Sequence, residues 1–321
     1  MSRVNVRDAV RRLVELVLVL LVVSTGAFAL VDLMPGDPAV AVLGEGHTPA
    51  EYQAQREEMG LTDPLPVRYA RWVGDAVTGD LGTSFVPPYD DVAGRIGAAL
   101  PVSLELAVLA LLIALAVAVP LAMWSAYRAG GRVDRLVGAG TFAILSVPSF
   151  LAGMLLIALF AERLGWFPRL EWARLSDGLG DNLYHAFLPA LTIALVEVAT
   201  FTRVLRGDLI ATLREDFILA SRAKGMPPVH VLLRDALRPS SFSLVTLLGV
   251  SLGRLVGSTV IVEHLFALPG MGTLIIGAAD AGDVPTVQGA VLVIALLYVL
   301  VNALIDASYA LLDPRIRRAH V

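Results

Sequence analysis

Two short stretches of the sequence carry patterns that serve nucleophilic catalysis in other proteins. Residues 249–253 read G-x-S-x-G around Ser251, and Ser221 lies three residues before Lys224 in an S-x-x-K pattern. The first pattern works at a strand-to-helix turn, and the second needs accompanying S-D-N and K-T-G motifs. Here the first lies in a long apolar run and the second has no such companions. We therefore expect no catalytic residue, and an intramembrane hydrolase is only a distant alternative.

Motifs for metal, nucleotide or nucleic-acid binding are also missing from the sequence. The chain has no cysteine, and its five histidines are scattered without H-E-x-x-H spacing. No G-x-x-x-x-G-K-[ST] motif occurs, so we expect neither a metal site nor ATP binding by a P-loop. The net charge of -4 argues against a general nucleic-acid binder.

Two charged residues lie deep within apolar runs. Glu197 is about ten residues and Arg254 about eight residues from one end of its run, so their depths differ by only about 3 Å. Charges inside a membrane usually face a bundle interior or a water-filled path. We expect both to face a polar pathway and to pair, and we include Ser251 in this candidate pathway. The alternative is that each contacts a partner subunit or extends towards the membrane surface.

Two further sets of residues have spacings that place them on one helix face. Asn302 and Asp306 are four residues apart, and a hydrogen bond between packed helices is the first interpretation, with a place in the pathway second. Gly249, Gly253 and Gly257 also recur every four residues. Small residues at this spacing let another helix approach closely, so we expect these glycines to serve helix packing.

The elements that must position these residues are membrane helices. The chain is 56% hydrophobic and 17% charged, with a mean hydropathy of +0.73, whereas soluble proteins carry about 25% charged residues. The first apolar run is longer than a signal-peptide core and no cleavage site follows it, so we expect it to be retained. Six runs are long enough to span a bilayer: 13–34, 101–127, 136–161, 186–205, 240–262 and 286–311.

The positions of the basic residues predict the orientation. Most of the 25 arginine and lysine residues fall on one side if the N-terminus is inside, which places both termini in the cytoplasm. We expect an N-terminal segment with the first span (1–34), an extracytoplasmic segment (35–100), a transmembrane core (101–311) that contains a cytoplasmic loop (206–239), and a cytoplasmic tail (312–321). In the external segment, Thr48 and Gly60 predict the two ends of one helix, and a second helix is expected before Gly79.

The cytoplasmic loop contains a polar, bent segment at 216–239. The spacing of Leu209, Leu213, Phe217 and Ala220 predicts an apolar stripe on one helix. Gly225 is a natural helix end, and the prolines at 227 and 228 can begin a second helix but cannot continue the first. Such an element either lies on lipid or fits a groove in a soluble partner.

This segment resembles the EAA loop of ABC-importer permeases, whose motif reads Ala-x-x-x-Gly within a longer pattern. Residues 220–225, ASRAKG, are similar to the A-R-A-K-G version of the dipeptide, oligopeptide and nickel importers. Other motifs follow in order: LMPGDP at 33–38, LTDPL at 61–65, GDLGTS at 79–84, EHLFALPGMG at 263–272, DVP at 283–285 and LDPRIR at 312–317. Together they are specific for the first, or B-type, permease of that family.

The resemblance implies an all-α integral membrane protein with six transmembrane helices, a type I ABC-importer permease of the bacterial cytoplasmic membrane. It would form half of a pathway for di- and oligopeptide uptake by alternating access. Its partners would be a homologous second permease, two ABC ATPase subunits or one fused ATPase, an extracytoplasmic binding protein and membrane lipid. ATP and Mg²⁺ would bind to the ATPases, so this chain would need no cofactor and would perform no bond chemistry.

The resemblance also implies a set of coupling residues that would sit in a groove of an ATPase. They are Ala220, Ser221, Arg222, Ala223, Lys224, Gly225 and Pro227. The chain departs from the family pattern at Asp235, Pro239 and Ser243, where the family often has His, Asn and Pro. Nickel or another small solute is the alternative substrate. A secondary transporter is a more distant alternative, because the inverted repeats of many such proteins are not visible.

Overall fold

The computed structural model describes residues 6–32 and 37–312, with side chains described at 14, 17–29, 37–40, 42–255 and 259–305. In this part of the chain the regular structure is helical, with one isolated β-bridge between Thr83 and Asp91. The α-helices are α1 (Val6–Asp32), α2 (Pro38–Leu43), α3 (Pro49–Glu58), α4 (Leu65–Thr78), α5 (Val92–Tyr127), α6 (Arg132–Ser146), α7 (Ser149–Leu156), α8 (Leu179–Thr212), α9 (Asp216–Ala223), α10 (Pro228–His230), α11 (Leu237–Ser258), α12 (Val260–Leu265), α13 (Met271–Asp280) and α14 (Val284–Leu312). Shorter turns are π-helical at Ile157–Arg163 and Val231–Ala236 and 3₁₀-helical at Leu175–Asp177.

Three helices of the described chain are long and apolar enough to cross a membrane by themselves. They are α5, α8 and the Val284–Ile305 part of α14. They contain the predicted spans at 101–127 and 186–205 and most of the one at 286–311. α5 begins nine residues before the predicted span, at Val92. The sequence therefore located these spans but underestimated their helical length.

The region of the predicted span at 136–161 contains two helices with a sharp bend between them. α6 and α7 meet at a bend of 103°, and they qualify as a membrane span only as a broken pair. Pro148 accounts for the break, because a proline disfavours helical backbone at the residue before it. Val147 accordingly has an extended backbone, with φ of -98° and ψ of 126°.

The remaining two predicted spans correspond to helices with interruptions or undescribed parts. The region 240–262 is not one helix, since α11 ends at Ser258 and α12 starts after Thr259. α1 covers most of 13–34 and contains an apolar stretch at Val17–Ala29.

The chain divides into two compact units, and the first comprises residues 1–103 and 269–300. Its core is a cluster of buried apolar side chains from α5, α13 and α14: Val92, Ile96, Ala99, Met271 and Ala290. Gly289 of α14 lies against this cluster, and a Cβ there would be 2.8 Å from a methyl group of Val92. The hydroxyl of the fully buried Ser103 accepts a hydrogen bond from the Met271 amide at 2.8 Å.

The predicted ends of the helices in the 35–100 segment are confirmed. Thr48 caps α3, since its hydroxyl accepts from the Glu51 amide while the Glu51 carboxylate accepts from the Thr48 amide. Gly60 follows the end of α3 with φ of 65°, and Gly79 ends α4 with φ of 92°. Both glycines have the left-handed backbone that ends many helices.

The second unit comprises residues 104–268 and 301–321, and α8 is its central helix. α8 packs against α6, α7 and α11, and much of its surface is buried. Gly153 allows α7 to pack closely against α8 and α12. A Cβ at this position would lie 3.0 Å from Thr192 of α8 and 2.7 Å from Leu265 of α12. On α5, fully buried alanines recur every four residues at Ala110, Ala114, Ala118 and Ala122.

Candidate functional site

The bent segment at 216–239 has a sharply defined turn. α9 ends at Ala223, and Gly225 has φ of 76°, in the left-handed region that favours glycine. The Met226 amide donates to the Ser221 carbonyl at 3.3 Å and the Gly225 amide to the Arg222 carbonyl at 3.0 Å. These two bonds form a Schellman motif, which ends α9 at the predicted position.

The second half of the bend begins at the two prolines. Pro227 precedes α10 with φ of -64°, and Pro228 is its first residue. A proline at the first helical position loses no hydrogen bond, because that amide has no partner within the helix. The chain then passes through the π-helical turn Val231–Ala236 directly into α11.

The predicted apolar stripe across Leu209, Leu213, Phe217 and Ala220 is wrong. α8 ends at Thr212 and α9 starts at Asp216, so these four residues do not lie on one helix. Leu209 is fully buried, whereas the side chain of Phe217 is half exposed. Ile218, which the stripe did not include, is the fully buried residue of α9.

The outer surface of the segment combines exposed apolar and basic side chains. The exposed large apolar residues are Phe217, Leu219, Met226, Val229 and Leu233. Arg222, Ala223, Lys224 and Gly225 are exposed beside them, whereas Ser221 is half-buried. We call these residues together the coupling surface. A patch of exposed apolar side chains on a short polar segment is typical of a surface that contacts another protein or lipid.

Two hydrogen bonds hold the segment in place. The hydroxyl of Ser221 in α9 donates to the carboxylate of Asp235 at 2.8 Å, which joins the two halves of the bend. The hydroxyl of Ser240 in α11 donates to that of Thr212 at the end of α8, at 2.9 Å. Asp235, one of the departures from the family pattern, therefore has a local structural role.

The structure brings Glu197 and Arg254 together within the second unit. The Nη2 of Arg254 on α11 donates to Oε1 of Glu197 on α8, and the Ser251 hydroxyl donates to the other carboxylate oxygen at 2.8 Å. The Glu197 side chain is 2% exposed and that of Arg254 is 53% exposed. The buried carboxylate therefore has donors on both oxygens, while about half of the arginine side chain is exposed.

The structure supports the predicted role in helix packing most directly for Gly249. A Cβ at Gly249 would lie within 2.8–2.9 Å of three atoms of Ile305 on α14, so a side chain there has no room. Gly253 is buried on the same helix. Gly257 lies outside the described side chains. Of the other predicted pair, Asp306 also lies outside them, and Asn302 is half-buried and interacts with another residue.

An ion pair of α6 and α8 was not predicted from the sequence. Arg206 donates to both carboxylate oxygens of Asp134, from Nε at 2.5 Å and from Nη2 at 2.8 Å. The Ser125 hydroxyl of α5 and the Gly130 amide also donate to this carboxylate, at 2.6 and 2.8 Å. This bidentate network joins three helices of the second unit, and Asp134 is 7% exposed.

A second unpredicted ion pair lies in the first unit. Asp283, just before α14, is 1% exposed and accepts hydrogen bonds from Arg95 of α5 at 2.7 Å and from the Ser84 hydroxyl at 2.6 Å. Its other oxygen accepts from the Phe85 amide at 2.9 Å. The carboxylate thus fixes the loop before α5 to the start of α14.

The two catalytic patterns have structural roles. Ser251 lies inside α11 and donates to Glu197, so it is not at a strand-to-helix turn. Ser221 donates to Asp235 in the same manner. Among the described residues, no group of three or more His, Asp or Glu side chains could hold a metal ion.

The chain matches two protein families that together cover most of its length. Residues 118–318 match the binding-protein-dependent transport system inner membrane component, and residues 5–107 match the N-terminal part of such membrane components. A probable peptide ABC transporter permease protein of Sinorhizobium fredii is 34% identical over 310 residues, covering 96% of this chain and 98% of that protein. The oligopeptide transport system permease protein AppB of Bacillus subtilis is 32% identical over 309 residues, with the same coverage.

Proposed function

Because the chain belongs to the family of binding-protein-dependent transport system inner membrane components, we propose that it forms half of the pathway through which an ATP-driven importer takes up di- and oligopeptides. The observation that carries this proposal is the similarity to peptide permeases along 96% of the chain. The protein is a multi-pass membrane subunit, and in this function it performs no bond chemistry itself. The work of ATP hydrolysis would come from its partners.

The proposed assembly contains a homologous second permease, two ATPase subunits or one fused ATPase, and an extracytoplasmic binding protein. We propose six membrane crossings, with the interrupted helices α6–α7 and α11–α12 each contributing one and α1 another. Both termini and the coupling surface would lie in the cytoplasm, because most of the basic residues then fall on that side. ATP and Mg²⁺ would bind to the ATPases alone.

The coupling surface would occupy a groove of an ATPase. Its exposed apolar side chains suit a groove lined by apolar residues, and Arg222 and Lys224 suit an acidic rim. The bend is held from within by the Schellman motif and by the Ser221–Asp235 bond. A preformed shape lowers the entropic cost of docking, since less of the segment must be ordered on contact.

The same segment connects directly to the two helices that carry the buried ion pair. Its first end continues through residues 213–215 into α8, which holds Glu197, and its second end continues into α11, which holds Arg254. Movement of an ATPase would therefore be transmitted to both helices. Alternating access follows if closure of the ATPases moves α8 and α11 so that the pathway faces outwards, and ATP hydrolysis reverses the movement.

A valine at position 225 tests the coupling role. Gly225 has φ of 76°, and a β-branched residue is strongly disfavoured there, so Gly225→Val should distort the bend. In proteoliposomes with the complete importer, we expect loss of peptide uptake and of peptide-stimulated ATP hydrolysis, with normal membrane insertion. Gly207→Ala is the matched control, since a Cβ at this position of α8 meets no atom within 4 Å.

Two results would contradict the proposed function. Unchanged peptide-stimulated ATP hydrolysis in the Gly225→Val variant would exclude the coupling role of the bend. Uptake of nickel ions instead of any member of a peptide panel, by the wild-type importer with its own binding protein, would exclude peptides as the substrate.

A further inference from the structure

Arg254 of the ion pair is bound to a buried carboxylate, and about half of its side chain is exposed. Glu197 of α8 is buried and accepts a hydrogen bond from Nη2 of Arg254, while 53% of the Arg254 side chain remains exposed. An arginine that only extended towards the membrane surface would not be held by a buried carboxylate. The guanidinium has five N–H donors in a planar fork, which matches the geometry of a carboxylate.

The helix face around Arg254 is exposed and carries hydroxyl groups as well as apolar side chains. Ser243, Thr246, Val250 and Arg254 follow each other on α11 at spacings of three and four residues, and all four are exposed in the chain by itself. A charged side chain is unfavourable against lipid tails, so in a membrane the exposed part of Arg254 should face water or another protein. The side of α11 next to this face is buried within the second unit, at Leu244, Ser251 and Leu255.

We propose that the guanidinium donors of Arg254 that do not bond Glu197 bind the C-terminal carboxylate of the peptide during transport. This inference rests on the proposed peptide uptake, because every unmodified peptide carries that carboxylate. A guanidinium can hold it through two parallel N–H···O bonds without reading the side chains. A contact of this kind suits a pathway for peptides of different sequence.

The buried glutamate limits the affinity of Arg254 for a peptide carboxylate. Glu197 neutralises the arginine when no peptide is present, which lowers the cost of a cation within the membrane. It also weakens the attraction for a second carboxylate, because that group would approach a pair with no net charge. Transport requires such weak binding, since a ligand that is held tightly leaves slowly.

Peptides with a free or an amidated C-terminus test the site. The importer is reconstituted in proteoliposomes, and uptake of alanine peptides is measured for those whose acid and amide forms the wild type carries. For Arg254→Ala we expect uptake of the free acid to fall by about tenfold relative to wild type, while uptake of the amide is retained. Dividing each rate by the wild-type rate removes the preference of the binding protein.

Two further variants separate this contact from a structural role. Arg254→Lys keeps the charge but not the fork, so it should recover only part of the free-acid uptake. Glu197→Gln removes the competing negative charge, so free-acid uptake should reach saturation at a lower concentration and a lower maximal rate. Ser146→Ala, an exposed residue of α6 outside this face, is the control and should match the wild type for both peptide forms.

Distinct results would overturn the inference. An equal loss of acid and amide uptake in Arg254→Ala would assign Arg254 to structure, as would dissociation of the second permease from this variant on purification. Wild-type rates for both peptide forms in that variant would show that no contact is made. A wild-type importer that carries neither form would contradict the proposed function itself.

Discussion

Asp235 and Pro239 differ from the residues that the family resemblance leads one to expect, and each has a local explanation. Asp235 accepts a hydrogen bond from Ser221 across the bend. Pro239 lies in the first turn of α11, directly after the π-helical turn Val231–Ala236. A proline cannot donate to the preceding turn, and irregular turns of this kind accommodate the missing bond. Both departures thus concern the shape of the segment.

We predict that removal of the Ser221–Asp235 bond weakens coupling without abolishing it. One hydrogen bond contributes about 1 kcal/mol, so Asp235→Ala should reduce peptide uptake by roughly two- to fivefold and increase hydrogen exchange in residues 216–236. Ser221→Ala should have a similar effect, and the double variant should be no worse than either single variant, because both lose the same bond. Arg234→Ala, an exposed neighbour, is the control. Additive losses would show that the two residues act separately.

The sequence predicted one buried ion pair and missed two others for a physical reason. Glu197 and Arg254 are conspicuous because each is a charge within an apolar run at a similar depth. Asp134 and Arg206 lie near the ends of apolar runs, where charged residues commonly contact water, so their types and positions are not informative. Their partnership depends on the packing of α6 against α8, which a single sequence does not specify.

At the scale of helices, hydropathy located the spans but did not reveal their breaks. Pro120 and Pro189 lie inside α5 and α8, whereas Pro148 separates α6 from α7 at a bend of 103°. All three prolines lie in apolar runs, so the residue type alone does not determine whether the helix is interrupted. Surrounding helices can satisfy the backbone groups that a proline leaves free. The difference therefore arises from tertiary packing.

The close approach of α11 and α14 gives a prediction about stability. A Cβ at Gly249 would lie 2.8 Å from Ile305, so Gly249→Ala should lower the stability of the second unit by about 1–3 kcal/mol through overpacking. The measurement is thermal unfolding of the purified protein in detergent. Gly277→Ala is the control, because a Cβ there meets nothing within 4 Å. Recovery in Gly249→Ala/Ile305→Ala would identify Ile305 as the obstacle, and an unchanged melting temperature in Gly249→Ala would contradict the close packing.

At the scale of the whole molecule, the chain order places the coupling surface between the helices of the ion pair. α8, the bent segment and α11 follow each other in the chain, so a displacement of the segment would act on both helices. The sequence predicted the segment, its bend and the two charged positions. It did not predict that the Glu197 side chain is buried while that of Arg254 is half exposed. This difference in exposure arises from how α8 and α11 pack against their neighbours.

The absence of cysteine from the sequence makes the membrane topology directly testable. Single cysteines are introduced at the exposed positions Glu57, Arg132, Ser176 and Val229. We expect a membrane-impermeant maleimide to label the first and third in intact cells, and the second and fourth only after permeabilisation. This pattern requires a crossing between each pair of neighbouring sites, including one made by the bent α6–α7 pair. Labelling of Arg132→Cys and Ser176→Cys from the same side would show that this pair does not cross.

The bend also gives the molecule a chemical property that is useful in the laboratory. Lys224 is the single lysine of the sequence, and it is exposed beside Gly225. An amine-reactive dye at high pH therefore attaches to the chain at this position and at a free N-terminus only. A dye at Lys224 would sit at the edge of the coupling surface, where burial by a docking protein changes its fluorescence. The natural protein thus carries its own labelling site for following assembly without any substitution.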